Sequence, residues 1–486
     1  MIQQLLNSIN GILWSNIFIG MALLTGLYYT IRTKGAQFRL IKLMGKYTLE
    51  KNDTGVGRSP FQSFAVTLSG RVGTGNIAGV ATAICIGGPG AVFWMWASAI
   101  LGAGTSIIEA TLAQVYKTKD GSEYRGGTQY FIEKGLGMKK FAMAFAVCSI
   151  FALGFCTPGI QGNAIADSMN IAFGFNRQII GVIVAVVTAL VITGGIKRIS
   201  EFAEKVAPIM AGAYILTAVI IIILNIKQVP AAFALIVSSA FGKNQLFGGI
   251  AGSAIMWGVK RGVYSNESGM GLSTHASSAA EVSHPVKSGL AQSLSVYIDT
   301  IFICTSTAFM AILTGQYNVE GIVENLPGIQ AGPGYVQNAI DLYVPGFGSA
   351  FLAIALFFFS LTTIIANYYS AETGIVYICN KIKSANKKVL VLVLRCATIA
   401  AILLFAAQSS DFAWALGDVG MGAMGWLSFV ALLMLGNTAI KVFKDFEEQY
   451  KATGDAVFDP VKLGIKNTEA WDDVNKWRAK NKLLNK

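Results

Sequence analysis

The sequence predicts an all-α polytopic membrane protein of about eleven transmembrane helices. Three observations carry that prediction. Charged residues make up only 13% of the 486, against 53% apolar, about half the charge with which a soluble domain covers its surface. The apolar residues gather into runs of about the length that crosses a bilayer. The basic residues sort onto alternate loops. The same numbers argue against a soluble multidomain enzyme and against a disordered or collagen-like chain.

The apolar runs fall near 13–31, 61–86, 91–115, 141–173, 178–196, 207–226, 246–281, 286–314, 347–378, 389–407 and 414–437. Segment 229–242 is apolar but short, so it is expected at the interface or as a re-entrant piece. Residues 1–12 hold no Lys or Arg, so the first run reads as a span that stays rather than a cleaved signal. The loop after span 1 is rich in Lys and Arg from Arg32 through Lys51 to Arg58, and those after spans 3, 5 and 9 (Lys381, Lys383, Lys387, Lys388) are basic too. The loops after spans 2, 8 and 10 hold none; span 4 is followed only by Arg177, and span 6 by Lys227 and Lys243. The formal charge of +12 thus maps one face of a membrane protein. The rule puts the N-terminus outside and the C-terminus in the cytoplasm, with the chain multi-pass in the plasma (inner) membrane. Nucleic-acid binding would need a clustered basic patch with interleaved aromatics, and none is present.

Residues 1–440 form the predicted transmembrane unit. The tail 441–486 has mixed charge and is expected to be a solvated cytoplasmic extension. The six cysteines lie in or beside apolar runs without metal-ligand spacing and read as small hydrophobes. His275 and His284 are expected at the cytoplasmic surface beside span 7. For Glu109, Asp167, Asp299 and Glu372, a salt-bridge or helix-end role weighs as much as a transport role.

Two spans are poor helices. Span 2 carries Ser69-Gly70-Arg71-Val72-Gly73-Thr74-Gly75-Asn76-Ile77-Ala78-Gly79, and glycine is an unfavourable helix residue. An unwound stretch in lipid is tolerable only where its freed amides and carbonyls line a cavity or hold a ligand. Such carbonyls can coordinate Na⁺, and the next half-helix can hold a carboxylate at its N-terminus. Close packing through small residues is the competing reading, but Arg71 is a buried charge that needs a partner. Span 7 repeats the device over Trp257-Gly258-Val259-Lys260-Arg261-Gly262-Val263-Tyr264-Ser265-Asn266-Glu267-Ser268-Gly269-Met270-Gly271. Breaks five spans apart point to a 5+5 inverted repeat, with halves 61–226 and 246–437 after a peripheral helix 13–31. Span 4 adds Pro158, which frees a carbonyl, and Gln161. Span 9 adds Thr362 and Thr363, whose hydroxyls either complete an ion site or bond back to their own helix.

At these residues the sequence resembles the alanine or glycine:cation symporter family, also called the sodium:alanine symporter family. The likeness rests on Val72 to Ile84 with Gly87-Gly88-Pro89-Gly90-Ala91-Val92-Phe93-Trp94-Met95-Trp96. It also rests on Lys260 to Gly271, His284-Pro285-Val286-Lys287 and Ile298-Asp299-Thr300, and covers roughly residues 10–440. The resemblance implies the leucine-transporter fold and Na⁺-driven symport of a small neutral amino acid, alanine or glycine, by alternating access. It implies a transporter rather than an enzyme, with Na⁺ as coupling ion, no other cofactor, and a lipid-embedded monomer as the working unit. By that likeness Thr74, Gly75 and Asn76 hold the substrate, Gln161 faces it, and Trp257 and Gly258 line it. Carbonyls near Ser69 and Val72 would join Thr362 and Thr363 around Na⁺.

Two departures qualify the likeness. Many members carry a small or hydroxyl residue where Arg71 stands. Its permanent charge could replace a second cation, so one Na⁺ is expected to suffice; Arg71 and Asp299 are candidates for a charge-balancing or gating role. Many members carry Trp where Asn367 stands, which would widen the substrate pocket toward glutamine or serine. The alternatives are proton coupling through Glu109 or Asp299 and, from another class, an ion channel. A channel needs a filter open to both sides, usually built by symmetry-related subunits, and two unlike breaks in one chain argue against it. A membrane-embedded enzyme would need a metal cluster or a nucleophile with its base.

Overall fold

The structure is a computed structural model that describes residues 2–50, 57–121, 123–382 and 385–471. Lys51, Lys383 and the end of the tail, 472–486, lie outside them. Helices dominate. Eight are long and apolar enough to cross a membrane, and Thr74–Gly87, Arg177–Ile192 and Ile226–Ala240 are shorter apolar pieces.

The chain opens with α1 (Ile2–Leu13) and α2 (Asn16–Arg32), then the short α3 (Ala36–Arg39) and α4 (Ile41–Thr48). Span 2 is α5 (Pro60–Arg71), a single turn Thr74–Asn76, and α6 (Ala78–Gly87). Ser59 and Gln62 form a capping box at the start of α5, satisfying two otherwise orphaned amides. Next come α7 (Gly90–Val115), a hairpin of β1 (Thr118–Asp120) and β2 (Glu123–Arg125), and α8 (Thr128–Leu136). Span 4 is α9 (Lys139–Phe151) and α10 (Thr157–Phe173), joined by a π-helical turn. Pro158 cannot donate to the carbonyl of Gly154, and the Thr398 hydroxyl donates to it instead at 2.8 Å.

Helices α11 (Arg177–Ile192), α12 (Gly195–Leu224) and α13 (Val229–Ala240) follow, the last being the short segment expected from the sequence. Span 7 is α14 (Ala251–Asn266) and α15 (Ser273–Ala279). Span 8 is α16 (Pro285–Val296) and α17 (Thr305–Thr314), again through a π-helical stretch. The loop after span 8 contains β3 (Asn318–Val319), β4 (Val323–Glu324) and α18 (Pro333–Asp341). The chain ends with α19 (Phe347–Lys381), α20 (Lys387–Ala406) and α21 (Ser410–Thr453).

The outer faces of these helices are greasy. Ile179, Val186 and Leu190 on α11, and Ile209, Leu216 and Ile223 on α12, are exposed. A soluble surface would not carry such a belt, whereas lipid tails cover it without cost. Inside, small residues set the spacing. A Cβ at Gly258 would collide with Ala91, and one at Gly262 with Ser98, so α14 lies directly on α7. A Cβ at Gly289 would sit 2.6 Å from the Ile107 carbonyl, so α16 lies as closely on the same helix.

Three expectations need correction. The break of span 7 does not begin at Trp257: the helix continues through Lys260 and Arg261 to Asn266. Both cations share one carboxylate inside the fold: Lys260 Nζ lies 2.6 Å, and Arg261 Nη1 3.1 Å, from Asp418 of α21. The two histidines are buried, not superficial. His275 meets Gln129 at 3.2 Å, and His284 meets Asp445 at 3.4 Å. The tail is not a free extension over its described part. It folds back beneath the bundle, with Phe458 and Trp471 fully buried. Trp471 donates to the Gln114 carbonyl at 2.9 Å, and Asp455 pairs with Lys287 at 2.6 Å.

Candidate functional site

The break in span 2 exposes polar backbone to three other helices. Val72 leaves the helical region, and Gly73 is extended. Asn76 closes the turn by accepting from Gly73 N at 2.9 Å. Its amide donates to Asp299 Oδ1 at 2.6 Å, and its carbonyl accepts from Thr307 at 2.7 Å. Thr74 N donates to Gln161 Oε1 of α10 at 3.1 Å. A Cβ at Gly73 would stand 2.6 Å from Thr363 Oγ1 and 3.0 Å from Gln161 Oε1. Glycine there lets Gln161 and Thr363 meet over the unwound strand. Gly75 faces Tyr264 and Ser265 of α14. Thr74 Oγ1 is buried without a hydrogen-bond partner among the described residues, so the unwound strand offers a free hydroxyl.

The oxygens around Thr363 form the second part of the site. Its hydroxyl lies 2.9 Å from Ser69 O, 3.0 Å from Val72 O and 2.9 Å from Phe359 O. A hydroxyl has one proton to donate, so two of these carbonyls face an oxygen that cannot satisfy them. Converging oxygen donors are what a hard cation such as Na⁺ selects. Thr362 stands apart. Its hydroxyl bonds back to Phe358 and Phe359 of its own helix, the alternative left open for this pair.

Other candidates are placed differently. Gly258 is a helix-packing residue on α7. Trp257 lines a cavity of about 1250 Å³ with Lys260, Arg261, Trp414 and Asp418. Neither Thr74 nor Gly75 lines it. Gly75 faces Tyr264, two helical turns along α14 from Trp257. Asn367 lies one turn beyond Thr363 on α19 and donates to Thr157 at 3.2 Å. Arg71 is buried and donates to Gln292 O at 2.9 Å, Ser106 Oγ at 3.3 Å and Ser295 Oγ. Asp299 accepts from Asn76, Ser265 and Thr300, and so ties the two broken spans together.

The break in span 7 spans Glu267 to Leu272, where Glu267, Gly269 and Gly271 have left-handed backbones. Glu109 of α7 holds it. Its carboxylate accepts from Gly269 N at 3.0 Å, Gly271 N at 2.6 Å and Ser273 Oγ at 3.3 Å. The other acidic candidates make ion pairs: Asp167 with Arg177 at 3.3 Å, and Glu372 with Arg125 at 3.4 Å. Sequence reasoning missed the clamp by Glu109, the Asp418 cluster and Glu267. Glu267 alone left a trace, as a charge inside a glycine-rich break.

The chain is similar in sequence to known transporters. The model of the sodium:alanine symporter family matches residues 1–460. A Bacillus subtilis protein described as a putative sodium/proton-dependent alanine carrier is 48% identical over 96% of both chains. A probable sodium/glutamine symporter of the same organism is 40% identical over 94% of both. The sodium/alanine symporter of Methanococcus maripaludis is 35% identical over 92% of this chain and 97% of its own. A solved structure of a Na⁺-coupled sialic acid symporter, substrate-bound and outward-open, overlaps 90% of this chain and 86% of that one, with TM-score 0.47 and 13% identity. With the family model matching residues 1–460 and a relative 48% identical over 96% of both chains, the chain belongs to the sodium:alanine symporter family, whose members are multi-pass membrane transporters rather than enzymes.

Proposed function

We propose that the protein carries a small neutral amino acid, alanine or glycine, inward across the plasma membrane together with Na⁺. The observation that carries this reading is the convergence of Ser69 O, Val72 O and Phe359 O on Thr363 Oγ1 beside the unwound strand. Na⁺ would replace the single shared proton as the centre of that oxygen set, with Thr362 at its edge. The substrate carboxylate and amine would lie along Thr74, Gly75 and Asn76, against Gln161. Trp257 would guide it at the mouth, the Gly258 contact would hold α14 in place, and Asn367 would bound the inner end.

Both ligands use the strand 72–76, so each stabilises the conformation the other needs. Entry of one Na⁺ charge adds about 2.3 kcal/mol per 100 mV of membrane potential. The 5+5 reading, with halves 61–226 and 246–437 after a peripheral helix, is supported by breaks in the first span of each half. Eleven spans, an outer N-terminus and a cytoplasmic C-terminus follow from the loop charges. We take the monomer as the working unit, with Arg71 standing where a second cation would otherwise be needed.

Replacing Na⁺ by choline at fixed pH in proteoliposomes tests the reading. Alanine uptake should collapse, and its Na⁺ dependence should have a slope near one. Uptake that persists and follows a pH gradient would replace Na⁺ by H⁺. A second substrate reading rests on Asn367, a polar amide where the family likeness implies Trp in many members, and on the 40% identical probable sodium/glutamine symporter. If glutamine and serine fail to compete with alanine, that reading is wrong.

A further inference from the structure

Three buried carboxylates lie within electrostatic reach of the Arg71 guanidinium: Glu109, Glu267 and Asp299. Two are fully solvated by the protein. Glu109 accepts from two amides and a hydroxyl, and Asp299 from Asn76, Ser265 and Thr300. Glu267 is different. It is only 5% exposed, and its carboxylate has no hydrogen bond or ion pair among the described residues. Arg71 directs its own donors to Gln292, Ser295 and Ser106 instead. A buried charge without donors is costly by several kcal/mol unless a cation joins it.

The surroundings fit one. Glu267 lines a small cavity with Thr67, Gly70, Asn367 and Ser370. A Cβ on Gly70 would lie 3.8 Å from Glu267 Oε2 and 3.7 Å from Asn367 Oδ1, so both oxygens converge over that glycine. Thr67 Oγ1 is buried without a partner among the described residues. Carboxylate, amide and hydroxyl oxygens make a hard-cation donor set. The cavity measures about 10 Å³, room for one water-sized particle and far too little for an amino acid.

We propose that Glu267, Asn367 and Thr67 form a second cation site, which receives Na⁺ after it leaves the oxygens around Thr363. Asn367 and Ser370 lie one and two turns along α19 from Thr363 toward Lys381, its basic end. The site is therefore on the exit side of the first one. The inference rests on the reading of the Thr363 group as the coupling-ion site. Because the ion occupies the two places in succession, the Na⁺ slope of uptake stays near one.

The test compares two assays on the full-length Glu267→Gln variant in proteoliposomes. Net Na⁺-driven alanine uptake requires Na⁺ to leave inward; alanine–alanine exchange with saturating Na⁺ on both sides does not. Net uptake should fall about tenfold or more, the loss expected when a charged ligand is removed. Exchange and the external Na⁺ giving half-maximal exchange should stay within about twofold, a change too small for a lost charged ligand. Thr67→Val should show the same split more weakly, and it carries the test if Glu267→Gln does not reach the membrane. Equal loss in both assays, or a raised external Na⁺ requirement, overturns the proposal. Undiminished net uptake that has lost its pH dependence would make Glu267 a proton site and overturn the sodium assignment. If Thr363→Ala leaves Na⁺ dependence untouched, it is the reading of the first site that fails.

Discussion

The two breaks look alike in sequence and are opposite in chemistry. The backbone of the break in span 7 is held by the protein itself: Glu109 takes two of its amides, and left-handed residues shape it, leaving the Glu267 carboxylate as its open group. The break in span 2 is left partly open. Its carbonyls at Ser69 and Val72 share one hydroxyl, and Thr74 Oγ1 has no partner among the described residues. One break is pinned and serves as a frame; the other leaves polar groups unpaired, as the proposed symport requires.

That contrast can be broken or sharpened by mutation. The largest effect is expected at Gly271, with a backbone φ of +90° and a would-be Cβ 2.6 Å from Phe145 Cζ. Gly271→Ala should destabilise the fold by roughly 2–5 kcal/mol from backbone strain plus overpacking, seen as a large fall in thermal-unfolding midpoint in detergent. Glu109→Gln should follow, at about 1–3 kcal/mol for an amide left unpaired. If either variant instead kept its stability and lost only transport, the frame description would be wrong.

At the open break the expectation reverses. Gly73→Ala should lower the unfolding midpoint less than Gly271→Ala, because its backbone is extended and adds no strain, yet abolish Na⁺-dependent uptake, because its Cβ crowds Thr363 and Gln161. Thr363→Val should raise the Na⁺ needed for half-maximal uptake about tenfold, equivalent to one lost ligand of about 1.4 kcal/mol. Thr362→Val, removing a hydroxyl that bonds only to its own helix, should raise it far less.

The smallest effect belongs to neither break. Burial pushes the Asp455 carboxyl up, but its bond to Lys287 outweighs this and leaves it below the usual carboxylate value. Its stabilisation is therefore present above the unfolded-state value and fades as pH falls through the folded one. Asp455 is mostly exposed, so Asp455→Asn should cost less than about 1 kcal/mol at neutral pH, and nothing in acid. Unfolding midpoints of both proteins at two pH values check this.

The helices and the span 2 break were legible because lipid forbids unpaired backbone. A glycine cluster in an apolar run has few explanations there. The nearness of Thr363 to the carbonyls of Ser69 and Val72 was implied by the family likeness, whereas its neighbour Thr362 was indistinguishable from it until the helix phase was known. What stayed hidden depends on partners distant in sequence. Lys260 and Arg261 look like helix breakers until Asp418, more than 150 residues later, is placed beside them. His284 looks superficial until Asp445 and Phe446 cover it. Gly258 has the composition of a pocket wall and the geometry of a packing contact.

The glycines on α7 have a mechanical consequence. Gly258 and Gly262 of α14, and Gly289 of α16, bring both helices against the backbone of α7 at Ala91, Met95 and Ile107. Contacts this close leave little room for sliding. The three helices are therefore expected to move as a single plate, with any bending at the plate's edges. One edge is the Gly88-Pro89 corner; another is the unwound strand 72–77. Methyl groups added at those three glycines would act as wedges, loosening the plate without touching any ligand.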